Sequence, residues 1–492
     1  MIGALLRGAP GHTQQPYMEP SPASTAPYLK RVLGPRDLVL LGIVAVFNLN
    51  LVPPVAAGGF PSLFLWGVGL LCFFLPQGVA VAEFALRYPE EGGVYLWTKK
   101  AFGELHGFLS GWFYWTTNIF YIPTLLVYLI GIISFEAGTR GEALELSVAW
   151  QVSFSLALLW LFTWASIRGL SINKWMNNVG GFAAIVTALI LLAVGVKVLW
   201  LHHNTELPSA AGWLPALSGW RTFSALGVIC LGLVGLELGS TMGDEIHQPR
   251  RTVPRAAMIA GLASGFLYVA ATFAVLLALP VQEIGVVTGV LQAFASMGGK
   301  VGLGGMHLAV AIVLSGAICG ALSAWLSGGG RIPFVAGVDR YLPERLSRVH
   351  GQWQTPHVAL IAQAVASSVM IGLSFAGKNV RLREAYDVLL ALAVITQMIP
   401  FVYLNVGLVR VAGTPGGLNW GKLWLRLLGT LGLATTCVAI ATAFIPPADI
   451  RNVWRYEAKL VFGLALFAFG GAGLFFRYAS RKAAKAGEQQ LA

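Results

Sequence analysis

Charge is what this chain has least of. Its 492 residues include 33 lysines and arginines and 21 aspartates and glutamates, 11% in all, against about 25% in an average soluble protein. So few charges cannot cover a soluble surface, which excludes an ordinary cytosolic enzyme and a disordered scaffold. Cysteine is also sparse. Cys72, Cys230, Cys319 and Cys437 each sit in a long apolar run with no paired spacing, so they read as helix-packing residues rather than disulfides or metal ligands. The eight histidines form no ligand pattern, and His202–His203 falls in a polar loop. No His-Glu-x-x-His or P-loop is present, and the single tetrad Ser171-Ile172-Asn173-Lys174 stands without the companion motifs of a serine enzyme, so neither a membrane enzyme nor an ATP-driven pump is expected, and no cofactor or metal is implied.

What the chain has in excess is apolar sequence, at 56%. A membrane-spanning helix needs about 20 mostly apolar residues. Such runs lie near 37–57, 63–86, 104–134, 147–167, 175–200, 222–244, 256–280, 303–329, 357–375, 386–410, 425–446 and 458–477. They predict an all-α polytopic membrane protein of twelve spans, numbered here in order. Residues 1–36, polar and with six prolines, read as a disordered tail without a cleavable signal. Residues 479–492 read as a second tail. No loop is long enough to be a domain, so the function lies within the bilayer.

The formal net charge of +12 is a topology signal rather than a nucleic-acid footprint. With the N-terminus inside, the inner segments hold 23 of the basic residues and the outer segments 10. The positive-inside rule then places both termini in the cytoplasm and the protein in the cytoplasmic (inner) membrane.

Two spans look interrupted. Span 1 reads Phe47-Asn48-Leu49-Asn50-Leu51-Val52-Pro53-Pro54; the prolines remove two backbone donors and the asparagines can cap what is freed. Span 6 carries Gly227, Gly232, Gly235, Gly239 and Gly243, with Glu237 among them. A kink and a close-packing pattern are the structural alternatives. Two breaks five spans apart instead favour discontinuous helices around a shared site, with unpaired N–H and C=O groups at each half-helix end.

Three motifs carry a family resemblance. They are Glu83 to Pro89 with Glu90-Glu91-Gly92-Gly93-Val94-Tyr95-Leu96-Trp97 after span 2, Gly235-Leu236-Glu237 running into Gly243 and the basic segment to Arg255, and Asp339-Arg340-Tyr341-Leu342-Pro343 followed by Thr355-Pro356. Together they resemble the permeases of the amino acid–polyamine–organocation superfamily, bacterial amino-acid type, over residues 37–411. The resemblance implies the leucine-transporter fold: spans 1–5 and 6–10 as inverted repeats, with spans 11 and 12 (412–478) peripheral. It also implies alternating access around a midplane site. The chain departs from relatives at three places. Asn48-Leu49-Asn50 stands where many have Gly-x-Gly, Ala184 near a helix 5 lysine of proton-coupled relatives, and Leu231 where arginine exchangers have an aromatic gate.

The candidate site residues follow. Glu237 is the acid well inside a span, and an intramembrane ionisable group is by default functional; a cap on a broken helix end is its alternative role. A carboxylate in a partly dehydrated cavity prefers to be neutral, and a substrate ammonium or the amides of a break favour its charge. Tyr114, Asn118 and Tyr121 share one helix face by spacing. Asn118 is expected to face the centre because hydrocarbon offers it no partner. Trp325 matches a substrate-contacting tryptophan of cationic amino-acid antiporters, a role taken from the resemblance. Substrate contacts are expected from Asn48, Asn50, Tyr114, Asn118, Gly235, Glu237 and Trp325. Coupling-ion contacts are expected from Glu237, Ser323 and Ser327, although serines in helices often bond back to their own turn. Glu83 is expected to pair structurally with Arg87 or a loop amide.

The reading is a secondary transporter for amino acids or related amines, coupled to protons with sodium or exchange as alternatives. A polyamine or organocation carrier or exchanger is the second reading and a non-transporting nutrient receptor a third. The expected partners are the small-molecule substrate, the coupling ion and the lipid bilayer, with no nucleic acid.

Overall fold

The computed structural model describes residues 33–88, 92–201, 210–215, 223–246, 249–375, 382–447, 450 and 452–491. Eleven of its helices are long and apolar enough to cross a membrane. They correspond to all the expected spans but the sixth. That one is in two pieces, Ser224–Gly232 and the tighter 3-10 turns of Leu238–Glu245, so neither piece alone reaches across. Large apolar side chains such as Leu71, Trp175, Phe182, Phe266, Ile312 and Phe469 point outward and are more than half exposed, a surface suited to lipid and not to water. The protein is an integral membrane protein.

The two halves of the chain repeat the same order of elements. Span 1 is broken (Pro35–Val46, then Val52–Ala56), span 2 follows (Pro61–Val68 to Leu75–Arg87), and a short helix, Gly93–Phe102, precedes span 3, Glu104–Glu136. In the second half, broken span 6 is followed by span 7 (Pro249–Ala278), the short helix Gly289–Lys300, and span 8, Met306–Gly329. Spans 4, 5, 9 and 10 are continuous helices at Val148–Ile167, Leu170–Leu201, His357–Ser374 and Leu382–Val411. Spans 11 (Lys422–Ala443) and 12 (Val453–Leu491) complete the set. Span 12 runs on helically to Leu491, through the segment expected to be a tail. The expected N-terminal tail lies outside the described residues except for its last four.

Breaks in the backbone are satisfied locally, as a medium without water requires. Pro76 in span 2 cannot donate to the carbonyl of Cys72, and Thr435 Oγ1 of span 11 donates to that carbonyl at 3.0 Å. Just before it, Gly69–Phe74 forms a wide, π-type turn. Gly69 in that turn lies against Ile229 of span 6, where an added Cβ would come within 2.5 Å of Ile229 Cγ2.

The three widely spaced motifs meet at the face of the bundle that holds the chain ends. Asp339 Oδ2 accepts from Lys99 Nζ at 2.6 Å and from Tyr95 OH at 2.5 Å. The Tyr341 hydroxyl donates to Glu104. Glu83 pairs with Arg87 at 2.6 Å and also accepts from the Leu418 amide at 2.6 Å, so both of the expected structural partners are used. Glu90, Glu91 and His247–Gln248 lie outside the described residues. Leu33 pairs with Ile246 in an isolated parallel bridge, joining the start of span 1 to the end of span 6.

Candidate functional site

The break in span 1 falls earlier than the proline pair. Phe47 and Asn48 are extended (φ −85°, ψ 96° and φ −112°, ψ 108°) between Val46 and the turn Leu49–Leu51. Pro53 and Pro54 then sit in the first turn of Val52–Ala56, where a missing N–H has no helical acceptor to lose. The prolines therefore start the second half-helix rather than end the first.

In span 6 the chain leaves the helix at Gly232 and turns through Gly235, whose φ of +124° is a left-handed value that favours glycine. A Cβ there would come within 3.0 Å of the Ala45 carbonyl carbon. Glycine at 235 thus lets the two breaks touch.

Glu237 hangs from the span 6 break and is 1% exposed. Its Oε1 accepts from the Tyr114 hydroxyl at 3.1 Å and its Oε2 from the Gly235 amide at 3.0 Å. It makes no ion pair with any described residue. Tyr114 is on span 3, and its ring lies 6.4 Å from that of Trp325 on span 8. Trp325 also meets Tyr121 edge-on at 5.7 Å, and the Tyr121 hydroxyl reaches Asn50 Oδ1 at 3.5 Å. Residues from spans 1, 3, 6 and 8 therefore converge. The helical spacing of Tyr114, Asn118 and Tyr121 does place them on one buried face.

The remaining expected residues have specific partners. Asn118 Nδ2 donates to the Tyr114 carbonyl at 3.0 Å. Its side chain packs on Gly329, where an added Cβ would come within 2.6 Å of Asn118 Cγ. Asn48 Nδ2 donates to the carbonyls of Ala45 at 2.7 Å and Val46 at 3.3 Å, capping the end of the first half-helix. The two serines share a helix face but have different partners. Ser327 bonds back to the Ala324 carbonyl at 3.2 Å, and Ser323 reaches Asn173 of span 5 at 3.5 Å. Trp112, on the same helix as Tyr114, donates instead to the Phe467 carbonyl of span 12 at 2.8 Å, a packing role.

Two tyrosines at the break are not legible in the sequence. The Tyr268 hydroxyl of span 7 donates to the Val46 carbonyl at 2.7 Å and accepts from the Asn48 amide at 2.9 Å. The Tyr386 hydroxyl of span 10 donates to the Asn50 carbonyl at 2.6 Å and accepts from Asn50 Nδ2 at 3.3 Å. Tyr268 sits in an apolar run that reads as packing, and Tyr386 at the charged start of span 10 beside Arg383, Glu384 and Asp387. The only signal is general: a broken helix in hydrocarbon must find donors and acceptors somewhere. Arg331, 2% exposed, is likewise unmarked in the sequence; it donates to the Ser327 carbonyl at the end of span 8.

Toward the face opposite the chain ends lies a cleft of about 480 Å³, lined among others by Pro54, Ser224, Arg383, Asp387, Thr442 and Tyr456. Its walls come from the second half of span 1, the first half of span 6 and the start of span 10, next to Tyr386. The cleft is therefore walled in part by one half-helix from each broken span.

The sequence matches the amino acid permease family over residues 37–467. The chain belongs to that family. It is 26% identical over 450 residues to an uncharacterized transporter (lpg1691) of Legionella pneumophila, covering 89% of this chain and 96% of that one. It is also 26% identical over 310 residues to a probable agmatine/putrescine antiporter, AguD, of Lactococcus lactis, with 63% of this chain and 65% of that one covered. In fold it is similar to the crystal structure of MhsT in complex with L-phenylalanine, at a TM-score of 0.60 and 15% identity, over 85% of this chain and 99% of that one. The permease has the leucine-transporter architecture expected of it and is a secondary transporter for amino acids or related amines, not an enzyme.

Proposed function

We propose that this permease binds an amine-bearing substrate between its two broken helices, with Glu237 as the group that links substrate charge to the driving ion. The observation that carries the reading is the placement of Glu237: a buried carboxylate at the span 6 break, held by a phenol and an amide, with no cationic side chain paired to it among the described residues. A carboxylate so placed has affinity for a cation from outside the protein, either a substrate ammonium or a proton. Asn48 and Asn50 supply polar atoms from span 1, Tyr114, Asn118 and Trp325 wall the space from spans 3 and 8, and Gly235 keeps the breaks in contact.

The coupling ion in this reading is the proton. A sodium site at Ser323 and Ser327 is less well supported, because the two hydroxyls are turned to different partners. The charge asymmetry between loops supports a cytoplasmic location for both termini and residence in the inner membrane, and the transporter core is assigned to residues 37–411. Reconstitution into proteoliposomes, with a competition panel of amino acids and diamines, tests the reading. Uptake that collapses with the proton gradient supports it. Uptake that ignores the proton gradient and follows sodium refutes proton coupling, and no uptake of any compound refutes the transport site.

A further inference from the structure

The break in span 1 is not merely an interrupted helix; it is held in a defined shape from outside itself. An unbroken helix would bond the Asn48 amide to Val44 and the Val46 carbonyl to Asn50. Both bonds are lost here. One oxygen serves both groups: the Tyr268 hydroxyl lies 2.9 Å from the Asn48 nitrogen and 2.7 Å from the Val46 oxygen, with Asn48 Nδ2 a longer second donor to that oxygen at 3.3 Å. This spans the two extended residues and fixes the angle at which the chain enters Leu49–Leu51.

The phenol is itself immobilised. Its ring stacks on Trp66 of span 2 with centroids 4.3 Å apart, and Phe47 meets it edge-on at 4.9 Å. Trp66 is anchored in turn by donating to Thr272 Oγ1 at 3.0 Å, one turn along the helix from Tyr268. On the far side is Gly232, where the first half of span 6 ends, and a Cβ there would come within 3.0 Å of the Tyr268 oxygen. Tyr268 therefore stands between the ends of both half-helices, and Tyr268, Trp66 and Phe47 are fully buried.

We propose that Tyr268 is the positioning residue of the permease site: its hydroxyl pins the Val46–Asn48 break and thereby aims the Asn48 to Asn50 segment at the substrate. The proposal rests on the reading of the breaks as the substrate site. Tyr268 touches no substrate in this scheme; it acts through the backbone of span 1. Tyr386 contrasts with it. It reaches Asn50 from span 10, beside the cleft, and leaves the Val46–Asn48 angle alone.

Tyr268→Phe removes one oxygen and keeps the ring on Trp66. Hydrogen exchange of the peptide 45–51 reads the pin directly. In the wild type this peptide is expected to exchange as slowly as the neighbouring helix despite its break. In Tyr268→Phe its exchange rises about 10-fold or more, the equivalent of about 1.4 kcal/mol. The KM for uptake rises by a similar factor with the maximal rate little changed. Thr435→Val, which removes a hydroxyl from the Cys72 carbonyl of span 2 and leaves the Tyr268, Trp66 and Phe47 contacts in place, serves as the control: it lowers thermal stability without moving exchange at 45–51 or KM. Unprotected amides at 45–51 in the wild type overturn the proposal even if the variant does not fold. An unchanged KM and unchanged exchange in Tyr268→Phe overturn it too. If the wild type takes up nothing from the panel, the substrate-site reading falls, and exchange at the break still decides whether Tyr268 pins it.

Discussion

Replacing Glu237 by glutamine separates the charge of this residue from its shape. Glu237 accepts two hydrogen bonds, from the Tyr114 hydroxyl at 3.1 Å and the Gly235 amide at 3.0 Å. A glutamine can keep both: its oxygen faces the Gly235 amide, and its NH₂ donates to a Tyr114 hydroxyl turned the other way. The local structure therefore survives, and the cost to folding is limited to exchanging charged for neutral hydrogen bonds, about 1 kcal/mol. A substrate ammonium fares differently, because it loses a charge-assisted partner worth about 1.5–3 kcal/mol. That weakens binding roughly 10- to 150-fold. The assay is concentration-dependent uptake into proteoliposomes, run beside thermal unfolding in detergent. Glu237→Gln should unfold within a few degrees of the wild type while active uptake falls severely. Uptake with the wild-type KM and pH dependence would refute the charge argument, make Glu237 a structural cap of span 6, and move the search for the substrate's partner to Asn48, Asn50 and Asn118.

Other expectations follow from single contacts. Gly235→Ala forces a side chain onto a φ of +124° and against Ala45, so it should destabilise by about 1–3 kcal/mol and depress uptake more than expression; a neutral result would mean the breaks need not touch. Thr435→Val leaves the Cys72 carbonyl without its donor and should lower thermal stability by about 1–3 kcal/mol with KM unchanged. In a background free of native cysteines, an impermeant thiol reagent applied outside should label Glu283→Cys and spare Gly351→Cys, both at exposed loop positions. The reverse pattern would invert the topology drawn from the basic residues.

The glycine-rich sixth run and the Asn/Pro-rich first run mark the two breaks by their paired placement; a single proline does not, since Pro123 and Pro400 sit inside continuous spans. Their number and order, five spans apart, carry the repeat architecture. Composition does not place the first break exactly. Prolines catch the eye, but a proline at the start of a helix is comfortable, and the extended residues are Phe47 and Asn48. The face of span 3 is legible from spacing, since Tyr114, Asn118 and Tyr121 must align on any regular helix. Ser323 and Ser327 sit four residues apart on one helix, yet they are turned to different partners, and periodicity does not say which neighbour each hydroxyl will find.

Composition and local order therefore settle the environment, the number of crossings and the family, because a chain with so little charge and so many long apolar runs has only the bilayer as a solvent. The contacts that shape the site are of another kind. Tyr268 lies 220 residues from Asn48, and Tyr386 lies 336 from Asn50; the first is one polar atom in an apolar run and the second one of several polar residues at the start of span 10, and neither is marked out until the helices assemble. Only the packed bundle decides which phenol meets which broken turn, since a freed backbone group in hydrocarbon is satisfied by whatever donor the tertiary fold brings within about 3 Å, and no local pattern records that meeting.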